Sequence, residues 1–306
     1  MTLLATTPSP PPVGAPVGPQ VPPELFKRFV DFVYAISGIR FADSKAYFLN
    51  SKLDGRRQAL QLPTLQAYYD YLQKPEAKLL EIPALLNEVT INETFFYRNQ
   101  QQLQCFWDQL LIPMLGRKRQ AGQRNLRFLS AACSTGDEPY TFALDLANTG
   151  VARDLQVDII GMDISQRALD VAKQGLFKKY AVRNIPPPLL QRYFTEKSNG
   201  GIADYQLNDD IKRMVRFGHG SLMDGQALRL LGKMDVIFCR NVLIYFDRAS
   251  REQVLKNLAD ALSDDGYLLV GHSENLYAEK HIFRPVKEFP NALAYQKTSA
   301  LPKVTL

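Results

Sequence analysis

The chain has 306 residues, 46% hydrophobic and 22% charged, a composition that excludes a protein disordered throughout and matches an ordinary soluble globular chain. No apolar run approaches the roughly 18 residues that cross a bilayer, and the prolines of the first 23 residues would break the apolar core of a secretion signal, so a cytoplasmic protein without membrane insertion is expected. The net charge of +6 favours an anionic partner without choosing among nucleic acid, a membrane surface and an acidic protein.

Residues 1–23 carry eight prolines, which disfavour helix and leave little apolar area to bury; this stretch reads as a disordered tail. Residues 24–90 read as a small all-helical domain, with Phe26, Phe29, Val30, Phe32 and Val33 recurring at helical spacing and similar patterns over 46–60 and 65–72. After Arg124 the pattern changes to short β-rich runs alternating with amphipathic helices, which predicts a parallel α/β sheet. Leu126–Cys133, Gln156–Met162, Asp235–Cys239 and Tyr267–Gly271 are predicted strands, with Phe283–Val286 and Ala292–Gln296 at the sheet edge. Helices are predicted over 138–147, 166–174 (capped by Ser165, stopped by Gly175) and 248–262. Residues 191–217, with a turn at Asn199–Gly200–Gly201, read as a β-hairpin insertion instead of a βα unit.

The candidate chemistry begins where the first strand runs into small residues, Ser130 to Gly136, before a helix. Small residues there let a ligand lie against the backbone, facing the amides of the helix N-terminus. Asp163 follows Gly136 by about 27 residues, near the ~20-residue offset at which dinucleotide folds place a ribose-binding acid. The single glycine of this turn cannot supply the GxGxxG that a pyrophosphate needs, so a nucleoside ligand fits better, and S-adenosylmethionine is the commonest such cofactor. Cys105, Cys133 and Cys239 are widely separated and unaccompanied by histidine at ligand spacing, so neither a metal site nor a disulfide framework is expected.

The runs NETFFYR (92–98), SAACSTGDEPY (130–140), DVIFCRNVLIYF (235–246) and GHSEN (271–275), in that order and spacing, resemble the motifs of the CheR-type chemotaxis receptor methyltransferases. The resemblance spans about residues 24–296. It implies a Rossmann-like S-adenosylmethionine-dependent methyltransferase domain over 91–306, with its β insertion at about 191–217, preceded by a helical domain that docks the substrate. It further implies that Asn92, Thr94 and Arg98 contact the cofactor, with Arg98 near the site of transfer. Glu138 would bind the methionyl portion and Asp163 the ribose. Ser221 and Leu222 would meet the adenine, this chain having Ser221 where many members have Asn. Arg240 and Asn241 match the pair after the third strand, and Tyr245 a tyrosine near the transferred methyl. No metal is implied.

The implied activity is esterification of glutamate side chains on the cytoplasmic helices of methyl-accepting chemoreceptors, with S-adenosylhomocysteine as product, by a monomer that binds no nucleic acid. A glutamate side chain ordinarily titrates near about 4.3, so it is already ionised at neutral pH and needs no base. Arg98 and Tyr245 are expected to arrange the reacting groups as hydrogen-bond donors, and His272 to brace the sheet edge or pocket. Lys45, Lys52 and Arg56, with Arg57 beside them, fall on one helical face that would suit an acidic helix. In some relatives the hairpin insertion takes up a peptide from the receptor C-terminus as an added strand. The rival readings are a methyltransferase for another substrate class and an inactive scaffold of the same fold.

Overall fold

The computed structural model describes residues 21–41, 45–199 and 202–298. Most of the proline-rich tail and the Gly200–Gly201 turn lie outside them. The last residues of that expected tail are ordered into the fold: Val21 is 9% exposed in the helical core, and Pro23 opens the first helix at a position where its missing N–H costs nothing.

Helix α1 (Pro23–Ser37) buries Leu25, Phe29 and Val33, one residue per turn, and ends where Gly38 takes up φ +74°. Helices α2 (Ala46–Ala59), α3 (Leu65–Leu72) and α4 (Glu81–Val89) close around the same core. The Thr64 hydroxyl caps α3 by accepting from the Ala67 amide. Inside this core Glu81, only 2% exposed, accepts from Arg56 at 3.0 and 2.6 Å and from the Tyr68 hydroxyl at 2.7 Å. Three donors satisfy a buried carboxylate that would otherwise be costly to hold.

A segment with no element expected from its sequence forms one long helix: α5 (Gln100–Cys105), a π-helical turn (Phe106–Leu111) and α6 (Ile112–Gln120). Pro113, at the start of α6, ordinarily breaks a helix, and the wider turn before it accommodates the missing amide. Then come β1 (Asn125–Ala131), α7 (Asp137–Thr149), β2 (Gln156–Asp163), α8 (Gln166–Gln174), β3 (Leu176–Lys178), α9 (Lys179–Val182), α10 (Pro187–Tyr193), β4 (Phe194–Asn199), β5 (Ile202–Leu207) and α11 (Asp209–Lys212). The chain finishes with β6 (Val215–His219), α12 (Gly225–Leu230), β7 (Met234–Cys239), α13 (Arg248–Ala261), β8 (Leu262–Val270), β9 (Phe283–Pro285) and β10 (Ala294–Lys297). Ser165 and Gly175 bound α8 as expected, the serine hydroxyl accepting from Ala168 N and the glycine at φ +66°.

The main sheet has the order β6-β2-β1-β7-β8-β10-β9, parallel from β6 through β8, with β10 antiparallel to both neighbours. Strand order therefore reverses direction between β1 and β7, the switch point at whose carboxyl edge open α/β sheets bind ligands. The stretch expected as one insertion divides. β5 pairs with β4 on one side and with the unforeseen β3 on the other in a separate three-stranded sheet, whereas Val215–His219 belongs to the main sheet beside β2. Strand β8 also starts five residues before its expected place, directly off α13. Among the described residues no helix is long and apolar enough to cross a membrane.

Candidate functional site

At the switch point the ends of β1, β2 and β7, the segment 89–98 and the end of α1 enclose a cavity of about 230 Å³. That is far beyond the roughly 10–15 Å³ that admits one water. Every site residue named from the sequence lines it: Asn92, Thr94, Arg98, Glu138, Asp163, Ser221, Leu222, Arg240, Asn241 and Tyr245.

The turn after β1 is backbone under constraint. Ala132 and Ser134 hold φ of +62° and +50°, values at which a side chain costs roughly 1–3 kcal/mol, so the surrounding structure must enforce them. Gly136 follows at +86°, where a Cβ would also lie 2.9 Å from Ala172. This path brings the Ser134 amide to Asp163 Oδ2 at 2.7 Å, while Oδ1 accepts from Ser165 N at 2.8 Å. Burial raises the Asp163 pKa, and the amide donors oppose that rise. Ser134 Oγ donates to the Asn92 carbonyl at 3.0 Å, tying the segment 92–98 to the end of β1.

Opposite Asp163, Glu138 in the first turn of α7 accepts from Ser130 Oγ at 2.6 Å and from Arg240 Nη1 at 2.9 Å. Arg240 is held at the end of β7, its side chain 3% exposed, and also donates to the Arg98 carbonyl at 2.6 Å. Burial pulls its pKa down and Glu138 pulls it back up. Its Nε is buried without a partner among the described residues. A carboxylate has further acceptor capacity beyond two bonds, so Glu138, at the cavity wall, retains room for a cationic group. That suits the ammonium end of an amino-acid ligand.

Tyr245 sits on a short 3-10 turn, Leu243–Tyr245, held from two sides. From within, Glu274, 3% exposed, accepts from Asn241 N at 2.8 Å, Leu243 N at 2.8 Å and Gly271 N at 2.7 Å. This clamp holds Asn241 at φ +60°. From the helical domain, Arg40 N donates to the Tyr245 carbonyl at 3.0 Å, Ile39 bridges to Phe246, and Tyr34 Oη donates to Asp247, the N-cap of α13. The Tyr245 pKa is raised by burial, with Arg98 opposing, so its hydroxyl is a donor at neutral pH. Arg98 itself donates to the Glu93 carbonyl at 3.0 Å and lies over the Phe95 ring at 5.6 Å. Ser221 Oγ accepts from Met223 N at 3.2 Å, and Leu222 is buried beside it.

Two family models match, the CheR methyltransferase all-alpha domain over residues 24–90 and the CheR methyltransferase SAM binding domain over residues 92–290. The chain belongs to the CheR methyltransferase family. Chemotaxis protein methyltransferase 2 of Vibrio cholerae is 36% identical over 89% of this chain and 92% of its own length. Chemotaxis protein methyltransferase 2 of Pseudomonas aeruginosa is 31% identical over 86% and 90%, and the chemotaxis protein methyltransferase of Escherichia coli 31% identical over 82% and 84%. The cofactor is S-adenosylmethionine, and the spare acceptor capacity of Glu138 at the cavity fits the ammonium of its amino-acid end.

Two expectations about this CheR chain change. His272 does not line the cavity; it is exposed, 3.5 Å from Asn99 Nδ2, and the brace in GHSEN is Glu274 instead. The basic face of α2 is consumed within the fold. Lys52 pairs with Glu88 at 3.0 Å, Arg56 with Glu81 at 2.6 Å and Arg57 with Asp54 at 2.7 Å, leaving only Lys45 at the cavity. Glu274 was missed as a functional residue; its signal was an acid placed between small polar residues just beyond a buried strand.

Proposed function

We propose that this chain transfers methyl groups to glutamate side chains of chemoreceptor cytoplasmic segments, as the names of its relatives indicate for chemotaxis. When bound, S-adenosylmethionine supplies an electrophilic sulfonium methyl. The observation that carries the reading is that Arg98 and Tyr245 face the same cavity as Glu138, Arg240 and Asp163. Donors for a substrate carboxylate and holders of the cofactor thus share one enclosure.

Glu138 and Arg240 hold the amino-acid end, and Asp163 the ribose hydroxyls. Ser221 and Leu222 bound the adenine side, and Asn92, Thr94 and Asn241 close the remaining wall. Arg98 and the protonated Tyr245 orient an already ionised carboxylate for attack and take no proton from it. Ile39, Phe41 and Phe246 at the cavity exclude water, which strengthens those contacts. Strand β4, at the end of the order β3-β5-β4, offers an edge for a receptor peptide.

The deciding experiment is transfer of labelled methyl from S-adenosylmethionine to receptor cytoplasmic fragments, with release of labelled methanol by base and Arg98→Ala as control. Base-labile label that disappears in the variant is the expected result. Calorimetric cofactor binding with base-stable label, or with none, would overturn the glutamyl assignment.

A further inference from the structure

Arg183 is an exposed arginine just past α9. Its guanidinium carbon lies 3.6 Å from the ring centroid of Phe95 and 3.6 Å from that of Tyr180. The rings meet edge to face at 75°, so they form a corner in which the guanidinium is seated. One N–H donates to the Tyr180 carbonyl, and the Tyr180 hydroxyl is anchored in turn on Glu93 at 3.2 Å. Phe95, Glu93 and Arg98 all line the cavity, and the Arg98 guanidinium carbon lies 5.6 Å from the centroid of the same Phe95 ring. Arg183 therefore stands one ring away from the site of transfer.

A guanidinium carries five N–H donors, and among the described residues Arg183 spends one on a carbonyl and none on a carboxylate. The cations of α2 behave in the opposite way, each of Lys52, Arg56 and Arg57 being paired with an acid. An arginine already fixed by two aromatic faces loses little side-chain freedom when it binds an anion, and its planar fork suits a carboxylate. We propose that Arg183, clamped by Phe95 and Tyr180, is a specificity residue that binds an acidic side chain of the substrate polypeptide next to the glutamate being methylated. This rests on the glutamyl-methylation reading above and adds to it a requirement for a second, neighbouring acid in the substrate.

The test is steady-state methyl transfer by the full chain, with Arg183→Gln and Arg183→Lys compared on a receptor fragment and on the same fragment with the acids flanking the target changed to amides. For Arg183→Gln, KM for the acidic fragment is expected to rise about three- to tenfold, as for loss of a partly exposed charge contact, with kcat within twofold and calorimetric cofactor affinity unchanged. Arg183→Lys keeps the charge but not the planar stacking, and is expected to recover less than half of the loss on a logarithmic scale. On the neutralised fragment the wild type is expected to lose the same factor, with no further loss from Arg183→Gln. Equal KM for wild type and Arg183→Gln, or losses that multiply across the cycle, would overturn the clamp while leaving glutamyl methylation intact. Absence of base-labile methylation by the wild type would instead remove the underlying reading and the clamp's assigned partner with it.

Discussion

Asp137 is fully buried at the start of α7, and replacing it by asparagine is expected to make the protein more stable at neutral pH. One carboxylate oxygen accepts from Thr135 Oγ1 at 2.6 Å, and the other is buried without a partner among the described residues. Burial pushes its pKa up from 3.8 to about 6, against the smaller opposing effects of the Thr135 hydroxyl, the backbone and Arg183. Between those two values the folded protein binds more protons than the unfolded chain, so this group's contribution to stability falls as pH rises. The full shift is worth about 3 kcal/mol at 1.36 kcal/mol per unit, of which roughly half is already lost at pH 5 and nearly all by pH 8. Urea unfolding of wild type and Asp137→Asn across this range isolates the effect, because other titrations cancel in the difference. The advantage of the variant should grow by roughly 1 kcal/mol between pH 5 and pH 8. A gap that does not change with pH would show that Asp137 titrates in the folded protein as it does in the unfolded chain, and would refute the reasoning.

Glu274→Gln leaves a side-chain NH₂ facing a backbone N–H, because both carboxylate oxygens now serve as acceptors. The expected cost is about 2–4 kcal/mol in urea unfolding, together with a lower kcat from a loosened Tyr245 turn; a change under about 0.5 kcal/mol would count against the brace. Asp163→Ala should weaken cofactor binding by calorimetry at least about tenfold while far-UV dichroism is retained, since it removes the acceptor for Ser134 N and Ser165 N at the ribose wall. Gly161→Ala places a Cβ 2.7 Å from Phe217 and 2.9 Å from Cys133 Sγ. It should cost about 1–3 kcal/mol in thermal or urea unfolding.

The alternation of β-rich runs and amphipathic segments was legible where strands are buried, β7 along its whole length and β1 and β2 over most of theirs, whereas the half-exposed edge strand β6 was read as part of the insertion. Ser165 and Gly175 carry their instructions locally, so α8 could be read to the residue. The candidate site was legible chiefly through the resemblance of four ordered motifs to a known family; of its residues, Asp163, Arg240 and Asn241 also stand out alone, because they follow buried strands whose ends the sheet order gathers. What escaped depended on partners far along the chain. The helix over 100–120 hides behind a polar start and Pro113, and only the π-helical turn reconciles them. Strand β3 is three residues long and exists because β5 pairs with it. Lys52 and Arg56 looked free because their acids, Glu88 and Glu81, belong to α4, and two of the three amides that define the Glu274 brace lie some thirty positions away.

The short bridge of Ile39 to Phe246, with Arg40 N on the Tyr245 carbonyl, means that the wall of the cavity is sewn together from the helical domain and the loop after β7. The front helices therefore cannot be trimmed away or exchanged with a relative's as a detachable cassette. A graft that imports foreign residues at 38–41 without their matching 245–247 loop would carry a misaligned seam into the chamber itself. A change on one side of the seam is for that reason expected to reach the other.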